Sequence, residues 1–330
     1  MGGRAPGRAA VTGATGFLGS AVARALAASG VEVHALRRAS SDVSVLAGVP
    51  VTWHEGDVGE PATLGPLVEG ADWIVHAAGR LGAFGVTESE LAEANVAGTR
   101  NLMEAALSSP RRPRVLHLSS PGVLGPTARP VEEDAAPAPT TAYERSKAEA
   151  ERVALDFARR GLDVVLARPG FIYGPGDRHV LRLFQAIQRG RFFYVDRGRS
   201  LCQPTFVEDV VAGLLACLRR GRAGEAYHLV GPRPVTFREL GATIASALAV
   251  SPPRLSLPRW SAMLVAGGLE GLARAGGFTA PLTRNGVAFF SQDRLVSSRK
   301  ARDELGWAPR NDVAAGVART VAWYQGRRWL

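Results

Sequence analysis

The segment Val11-Thr12-Gly13-Ala14-Thr15-Gly16-Phe17-Leu18-Gly19 constrains this chain more than any other. It follows a short apolar run at 9–12 and opens an apolar-periodic stretch at 17–29. That order predicts a strand, a tight glycine turn and a helix. Glycine permits the tight turn and a close approach of ligand to backbone. Helix N-terminal amides can donate to the oxygens of a pyrophosphate. Gly13, Thr15, Gly16, Phe17 and Leu18 are therefore expected to hold a dinucleotide.

The alternation continues along the first half. Strands are expected at 31–36, 51–55, 72–76, 114–118 and 163–167, and helices at 88–107 and 143–160. Short apolar strands separated by helices predict an α/β fold, a parallel sheet covered on both faces. Right-handed crossovers make it a doubly wound Rossmann sheet. After Arg168 the regularity weakens to a helix with its approach at 204–218, a strand at 226–229 and a helix at 236–247. Residues 1–174 are expected to form mainly the nucleotide-binding Rossmann domain. Residues 175–330 are expected to form mainly a smaller substrate-binding region, with some segments returning to the first.

The start of the chain is expected to be spent on the first strand and glycine turn rather than on a secretion signal. The apolar stretch at 261–269 is far shorter than the roughly 20 residues that span a bilayer. It is expected to form a buried or groove-lining helix, with weak peripheral membrane contact as the alternative. A cytoplasmic location is expected.

Lysine and arginine number 40 against 30 acidic residues, a formal charge of +10. The excess is spread in short pairs, with no basic tail or aromatic-interleaved patch, so nucleic-acid binding is not expected. Cys202 and Cys217 cannot build a disulfide framework or a four-cysteine zinc site and read as free core thiols. Asp177 and His179 are two isolated candidate ligands, too few for a metal site.

The second strand ends in Arg37-Arg38, where an acidic residue would accept from an adenosine ribose and select NAD. Guanidinium groups suit a 2′-phosphate, so NADP(H) is the expected cofactor and NAD(H) the alternative. Asp57 and Val58 follow the third strand, where the carboxylate could accept from the adenine amine. Tyr143 and Lys147 are four residues apart at a helix start and share a face. A lysine cation there would favour the phenolate, suiting the tyrosine to exchange a proton with a carbonyl or alcohol. By chemistry alone, either Ser119 or Ser120 at the end of the fifth strand could orient the reacting oxygen.

These segments together resemble the extended short-chain dehydrogenase/reductase family. The resemblance runs through TGATGFLG at Thr12, VHAAG at Val75, NVAGT at Asn95, Ser119-Ser120 with Gly125, YERSK at Tyr143 and RPGFIYGPGD at Arg168. It resumes at FVEDV from Phe206 and DELGWAP from Asp303. It implies an acid/base role for Tyr143. Lys147 would hold the nicotinamide ribose and tune Tyr143. Counting back from Gly125 selects Ser120 as the third catalytic residue. The resemblance also implies that Asn95 organises the helix and sheet beside the site, and that Ala77, Ala78 and Gly79 form a cofactor wall. The backbone at Pro169 and Ile172 would meet the nicotinamide end. His117 reads as a satisfied core or subunit-facing residue. A homodimer through the helices at 88–107 and 143–160 is implied.

Three departures narrow the substrate. Ser120-Pro121-Gly122 stands where dehydratases resembling this chain carry an acid and a base. Phe171 and Cys202 stand where nucleotide-sugar enzymes usually carry an asparagine and an arginine. The segment 80–85 and the aromatics Phe192-Phe193-Tyr194 are expected to line an apolar pocket. The branch most similar to this pattern contains 3-beta-hydroxysteroid dehydrogenases and dihydroflavonol reductases. The expected function is NADP(H)-dependent reduction of a ketone or aldehyde of a hydrophobic small molecule, or the reverse oxidation. A nucleotide-sugar epimerase with tightly bound cofactor is one alternative, and a non-catalytic NADP-sensing protein is another.

Overall fold

Seven strands form one parallel sheet; the inner ones are short, mostly apolar runs buried on both faces, while the edge strand at 51–55 is only partly buried. In the computed structural model, which describes residues 7–330, they are β1 (Arg8–Thr12), β2 (Glu32–Arg37), β3 (Val51–Glu55), β4 (Trp73–His76), β5 (Arg114–Leu118), β6 (Val164–Pro169) and β7 (Ala226–Leu229). Residues 1–6, which begin the expected first domain and the expected signal-free start, lie outside the described residues. The strand order is β7-β6-β5-β4-β1-β2-β3. Val11 of β1 is level with Ala35 on one side and Val75 on the other. The order therefore reverses between β1 and β4, and the crevice beyond their carboxyl ends is where such a sheet receives ligands.

The helices used below are α1 (Phe17–Ala28), α2 (Gly98–Ser108), α3 (Ala142–Arg159), α4 (Val207–Arg220) and α5 (Arg259–Gly276). α1 and α4 cover one face of the sheet through Val22, Leu26, Val210 and Leu214. α2 and α3 cover the other through Leu102, Met103, Val153 and Phe157. A third core, around Tyr173, Phe184, Phe206, Phe237 and Tyr324, lies beside the sheet. Its helices are Leu181–Gln188, Phe237–Ala247 and Val313–Gly326.

The structure refines several expectations. The helix expected at 88–107 begins at Glu88–Leu91, passes through a π-helical stretch, Ala92–Ala97, and continues as α2. The approach expected before the helix at 204–218 is a short strand, Pro204–Phe206, paired with Phe171–Tyr173. Thr127–Val131 pairs with Arg294–Val296 across a very long sequence separation, which no local pattern announces. The helix expected at 261–269 extends to Gly276.

Candidate active site

The turn after β1 is built for close approach. Gly13 has φ +70°, and a Cβ there would lie 2.6 Å from the Ala77 carbonyl carbon and the Ala78 nitrogen. A Cβ on Gly19 would lie 2.1 Å from the Gly13 oxygen. The loops after β1 and β4 therefore touch: Ala77 and Ala78 border the glycine turn, and Gly79 follows them against Asn95. Gly16 caps α1 without a side-chain hydrogen bond, leaving first-turn amides beside Thr15, Phe17 and Leu18 for a ligand. These features fit the pyrophosphate of a dinucleotide.

At the far end of the crevice, Arg37 Nη2 donates to Glu55 Oε2 at 3.1 Å, its partner in the β2–β3 register. Arg38 is largely exposed, with Nε 4.0 Å from Asp57 Oδ2. Asp57 Oδ1 accepts from the Gly59 amide at 2.8 Å. Val58 is buried, and a Cβ on Gly98 would lie 2.7 Å from its Cγ2. Its side chain thus packs the loop onto α2, leaving its backbone beside Asp57.

Ser120, Tyr143 and Lys147 converge from β5 and α3. Thr141 and Glu144 form a reciprocal capping box, so α3 starts at Ala142 and places Tyr143 in its first turn. Lys147, one turn on, donates through Nζ to the Leu118 carbonyl at the end of β5. Ser120 Oγ accepts from the Gly122 amide at 3.1 Å, and its hydroxyl hydrogen remains free to donate. Ser120 and Tyr143 line one cavity.

The electrostatics correct one expectation. Burial, with the Glu144 charge adding to it, pushes the Tyr143 phenol up to about 12 rather than down. Burial lowers Lys147 to about 8, opposed by the Glu151 charge. The ammonium gives one of its three donors to Leu118, and burial of the phenol sets the direction of its shift.

Asn95 organises the site but has little left for a ligand. Its Oδ1 accepts from the Arg80 amide at 2.7 Å, and its Nδ2 donates to the Arg80 carbonyl and to Ser146 Oγ. The π-helical stretch turns this amide toward the loop that follows Gly79. His117 departs from expectation: it is buried, but neither ring nitrogen has a partner among the described residues, and the same holds for the Ser119 hydroxyl. The ring lies 5.3 Å from the His76 ring, and burial together with the Lys147 charge holds it neutral. Pro169 is buried at the end of β6, and Ile172 pairs with Thr205.

The cavity above Ser120 and Tyr143 measures about 940 Å³. Phe171, Phe289 and Phe290 supply an aromatic wall, with Phe171 and Phe289 edge-on at 5.4 Å between centroids. Phe171 and Cys202 both line it, as expected from their positions. Gly82 to Val86 cover Tyr143. The aromatics Phe192-Phe193-Tyr194 stand behind this wall rather than in it, because Phe192 packs on Phe290 and Tyr194 is buried. Asp177 is spent on the His179 and Val180 amides.

Sequence reasoning missed Glu144 and Arg294. Arg294 pairs with Glu144 Oε1, while Glu144 Oε2 accepts from the Thr140 amide, the Thr140 hydroxyl and the Thr141 amide. Only the capping-box pattern Thr141-x-x-Glu144 signalled any of this. A carboxylate with four donors is held as a structural anion beside Tyr143. Arg182 also lines the cavity and forms no ion pair among the described residues.

A reversed parallel sheet with its glycine turn in the crevice, and a serine, tyrosine and lysine at the neighbouring strand end, places the chain among the extended short-chain dehydrogenases/reductases. More particularly, it belongs to the NAD dependent epimerase/dehydratase family, whose model matches residues 9–230. It is 33% identical to a 4-hydroxy-2-methyl-3-oxo-4-farnesyl-3,4-dihydroquinoline-1-oxide ketoreductase of Stigmatella aurantiaca, covering 92% of each chain. It is 29% identical to a putative dihydroflavonol 4-reductase of a Synechocystis strain, covering 97% of this chain and 95% of that one. Among solved structures, a double mutant of the dTDP-glucose 4,6-dehydratase DesIV from Streptomyces venezuelae, with NAD and DAU bound, superposes with a TM-score of 0.81. It is 26% identical, with 97% of each chain covered.

Proposed function

We propose that this chain is an NADP(H)-dependent oxidoreductase that reduces a ketone or aldehyde of a hydrophobic small molecule, or oxidises the corresponding alcohol. The observation that carries the reading is the shared cavity: Ser120 and Tyr143 face the same space as Phe171, Phe289 and Phe290. Pro121 and Gly122 line it too and offer no acid or base for removing water. Glu144 is saturated by its donors.

When bound, the nicotinamide cofactor supplies or receives a hydride. Tyr143 gives its phenolic proton to the substrate oxygen as that oxygen gains charge, or takes one from an alcohol. Ser120 donates to the same oxygen and fixes its distance from Tyr143. Lys147 holds the ribose, and its ammonium favours the phenolate left after proton transfer. The aromatic wall excludes water and strengthens these polar contacts. Arg37 and Arg38 meet the 2′-phosphate. A homodimer through α3 and the helix ending in α2 accompanies this reading.

The ketoreductase and dihydroflavonol-reductase names among the relatives support it. Arg182 supports a second reading, a nucleotide-sugar epimerase, because a free guanidinium in the cavity could meet a diphosphate. Calorimetry with UDP, dTDP and GDP sugars in the presence of NADP separates the two. The first reading expects no saturable binding of sugars, together with NADPH oxidation by some member of a panel of hydrophobic carbonyls. Saturable micromolar binding of a nucleotide sugar overturns it.

A further inference from the structure

Six of the seven large hydrophobic side chains left exposed among the described residues fall within one stretch, 255–278, the seventh being Leu81. Leu255, Trp260, Leu264, Val265, Leu272 and Phe278 are about half exposed or more, with Trp260 and Leu264 at 69%. Four of them ride on α5. At about 3.6 residues per turn, Trp260, Leu264, Val265 and Leu272 share one face, spaced by glycine and alanine. The opposite face, Ala262, Ala266, Glu270 and Ala273, is buried. This helix turns its small residues inward and its large ones outward, and no outward side chain on that face carries a charge.

The surroundings are basic. Residues 251–289 contain four arginines, at 254, 259, 274 and 284, against the single acid Glu270. Glu270 is buried 3.8 Å from both Arg274 and Arg284. Nearby Asp196 accepts from the Arg259 amide at 2.9 Å. Arg254 and Arg259 have no ion-pair partner among the described residues. An uncharged apolar band thus lies between basic ends.

We propose that α5 docks this protein on an anionic lipid surface, with Trp260, Leu264, Val265 and Leu272 at the acyl boundary and the arginines on lipid phosphates. Such a face gains from apolar burial and from the attraction of cations to acidic headgroups. A second copy of the chain fits worse. Two α5 helices packed antiparallel about a two-fold axis would set Arg259 of each against Arg274 of the other, with no exposed acid on the helix to pair them.

The placement also serves the cavity. α5 contributes buried Glu270 and the edge residue Arg274 to the cavity wall. The Arg274 guanidinium lies 5.6 Å from the Phe84 ring centroid, in the loop that covers Tyr143. Docking surface and cavity wall are two sides of one helix, so a hydrophobic molecule dissolved in the bilayer would reach the site without crossing water. This last point rests on the proposed reaction; the docking does not.

The test is flotation of the full chain with vesicles. Phosphatidylcholine mixed with phosphatidylglycerol should carry the protein, pure phosphatidylcholine should carry much less, and added salt should release it. The Leu264→Glu/Leu272→Glu double variant should lose about tenfold or more of its partitioning, with melting temperature and NADPH affinity unchanged. No flotation on the mixed vesicles, or flotation untouched by the double variant, overturns the proposal. Self-association abolished by the double variant, without vesicle binding, also overturns it and assigns the face to a second copy. Carbonyl reduction without vesicle binding overturns the docking alone. Vesicle binding with no carbonyl reduction overturns the reaction alone.

Discussion

Gly82 lies so close to Tyr143 that a Cβ at residue 82 would stand 2.8 Å from the tyrosine Cβ. The loop that covers the cavity therefore fits over the tyrosine only with glycine at this point. A side chain must displace either the loop or Tyr143. Gly82→Val should lower carbonyl turnover about 10- to 100-fold, the cost of misplacing a positioned group by about an ångström. NADPH affinity, measured by fluorescence titration, should stay nearly constant, because the glycine turn and Arg37 are remote. Unchanged turnover would show that the loop does not position Tyr143.

In the proposed reading, Arg37 and Arg38 carry the preference for NADP(H). Each is expected to make a charge-assisted contact to the 2′-phosphate, worth about 1.5–3 kcal/mol. Arg38→Ala should therefore weaken NADPH binding about tenfold or more and leave NADH binding almost unchanged. Arg37→Ala should do less, since Arg37 is already shared with Glu55. Equal affinities for NADPH and NADH in the unmodified protein would remove the assignment.

The two histidines at the strand ends should respond oppositely to removal. Thr99 donates its hydroxyl to the Asn95 carbonyl at 2.6 Å, so it accepts from His76 Nε2–H at 3.0 Å. His76 Nδ1 is then the acceptor for the Thr12 hydroxyl at 2.8 Å. His76→Leu leaves two buried hydroxyls short of a partner and should cost about 1–3 kcal/mol. Among the described residues His117 has no partner to lose, so His117→Leu should be nearly neutral or stabilising in urea unfolding. A loss above about 2 kcal/mol in His117→Leu would contradict this.

Burial holds His76 and His228 neutral, each lowered to about 3. The unfolded chain protonates these rings near pH 6.5, and the folded chain does so only near 3. Between those values the unfolded state binds more protons, so stability falls as pH falls, by about 1.4 kcal/mol per pH unit for each ring. Above about pH 6.5 these rings contribute no pH dependence. Melting temperatures across that range should show the slope, and His228→Gln should reduce it. An identical slope in that variant would assign acid sensitivity to other groups.

The sheet was legible because most of its strands are short apolar runs set off by glycine, and because Gly19 answers to Gly13 within one turn. Tyr143 and Lys147 were legible from helical spacing. What resisted reading depends on distant partners. Arg294 reaches Glu144 from another part of the chain, and Thr127 meets Leu295 through hydrogen bonds no local pattern encodes. The direction of the Tyr143 shift was missed because spacing reports proximity and not desolvation. α5 was partly misread because an apolar stretch implies burial, whereas its large residues face out.

The central claim is that Tyr143 exchanges the proton in a hydride-transfer reaction. Its most direct test is single-turnover oxidation of bound NADPH by a reactive carbonyl, in the unmodified protein and in Tyr143→Phe. The ring and most of its packing survive the change, and Gly13, Arg37 and Lys147 are untouched. The account predicts that Tyr143→Phe binds NADPH with nearly the original affinity and reduces the carbonyl about 100-fold or more slowly. Near-normal reduction by Tyr143→Phe would show that the proton comes from another group and would contradict the account.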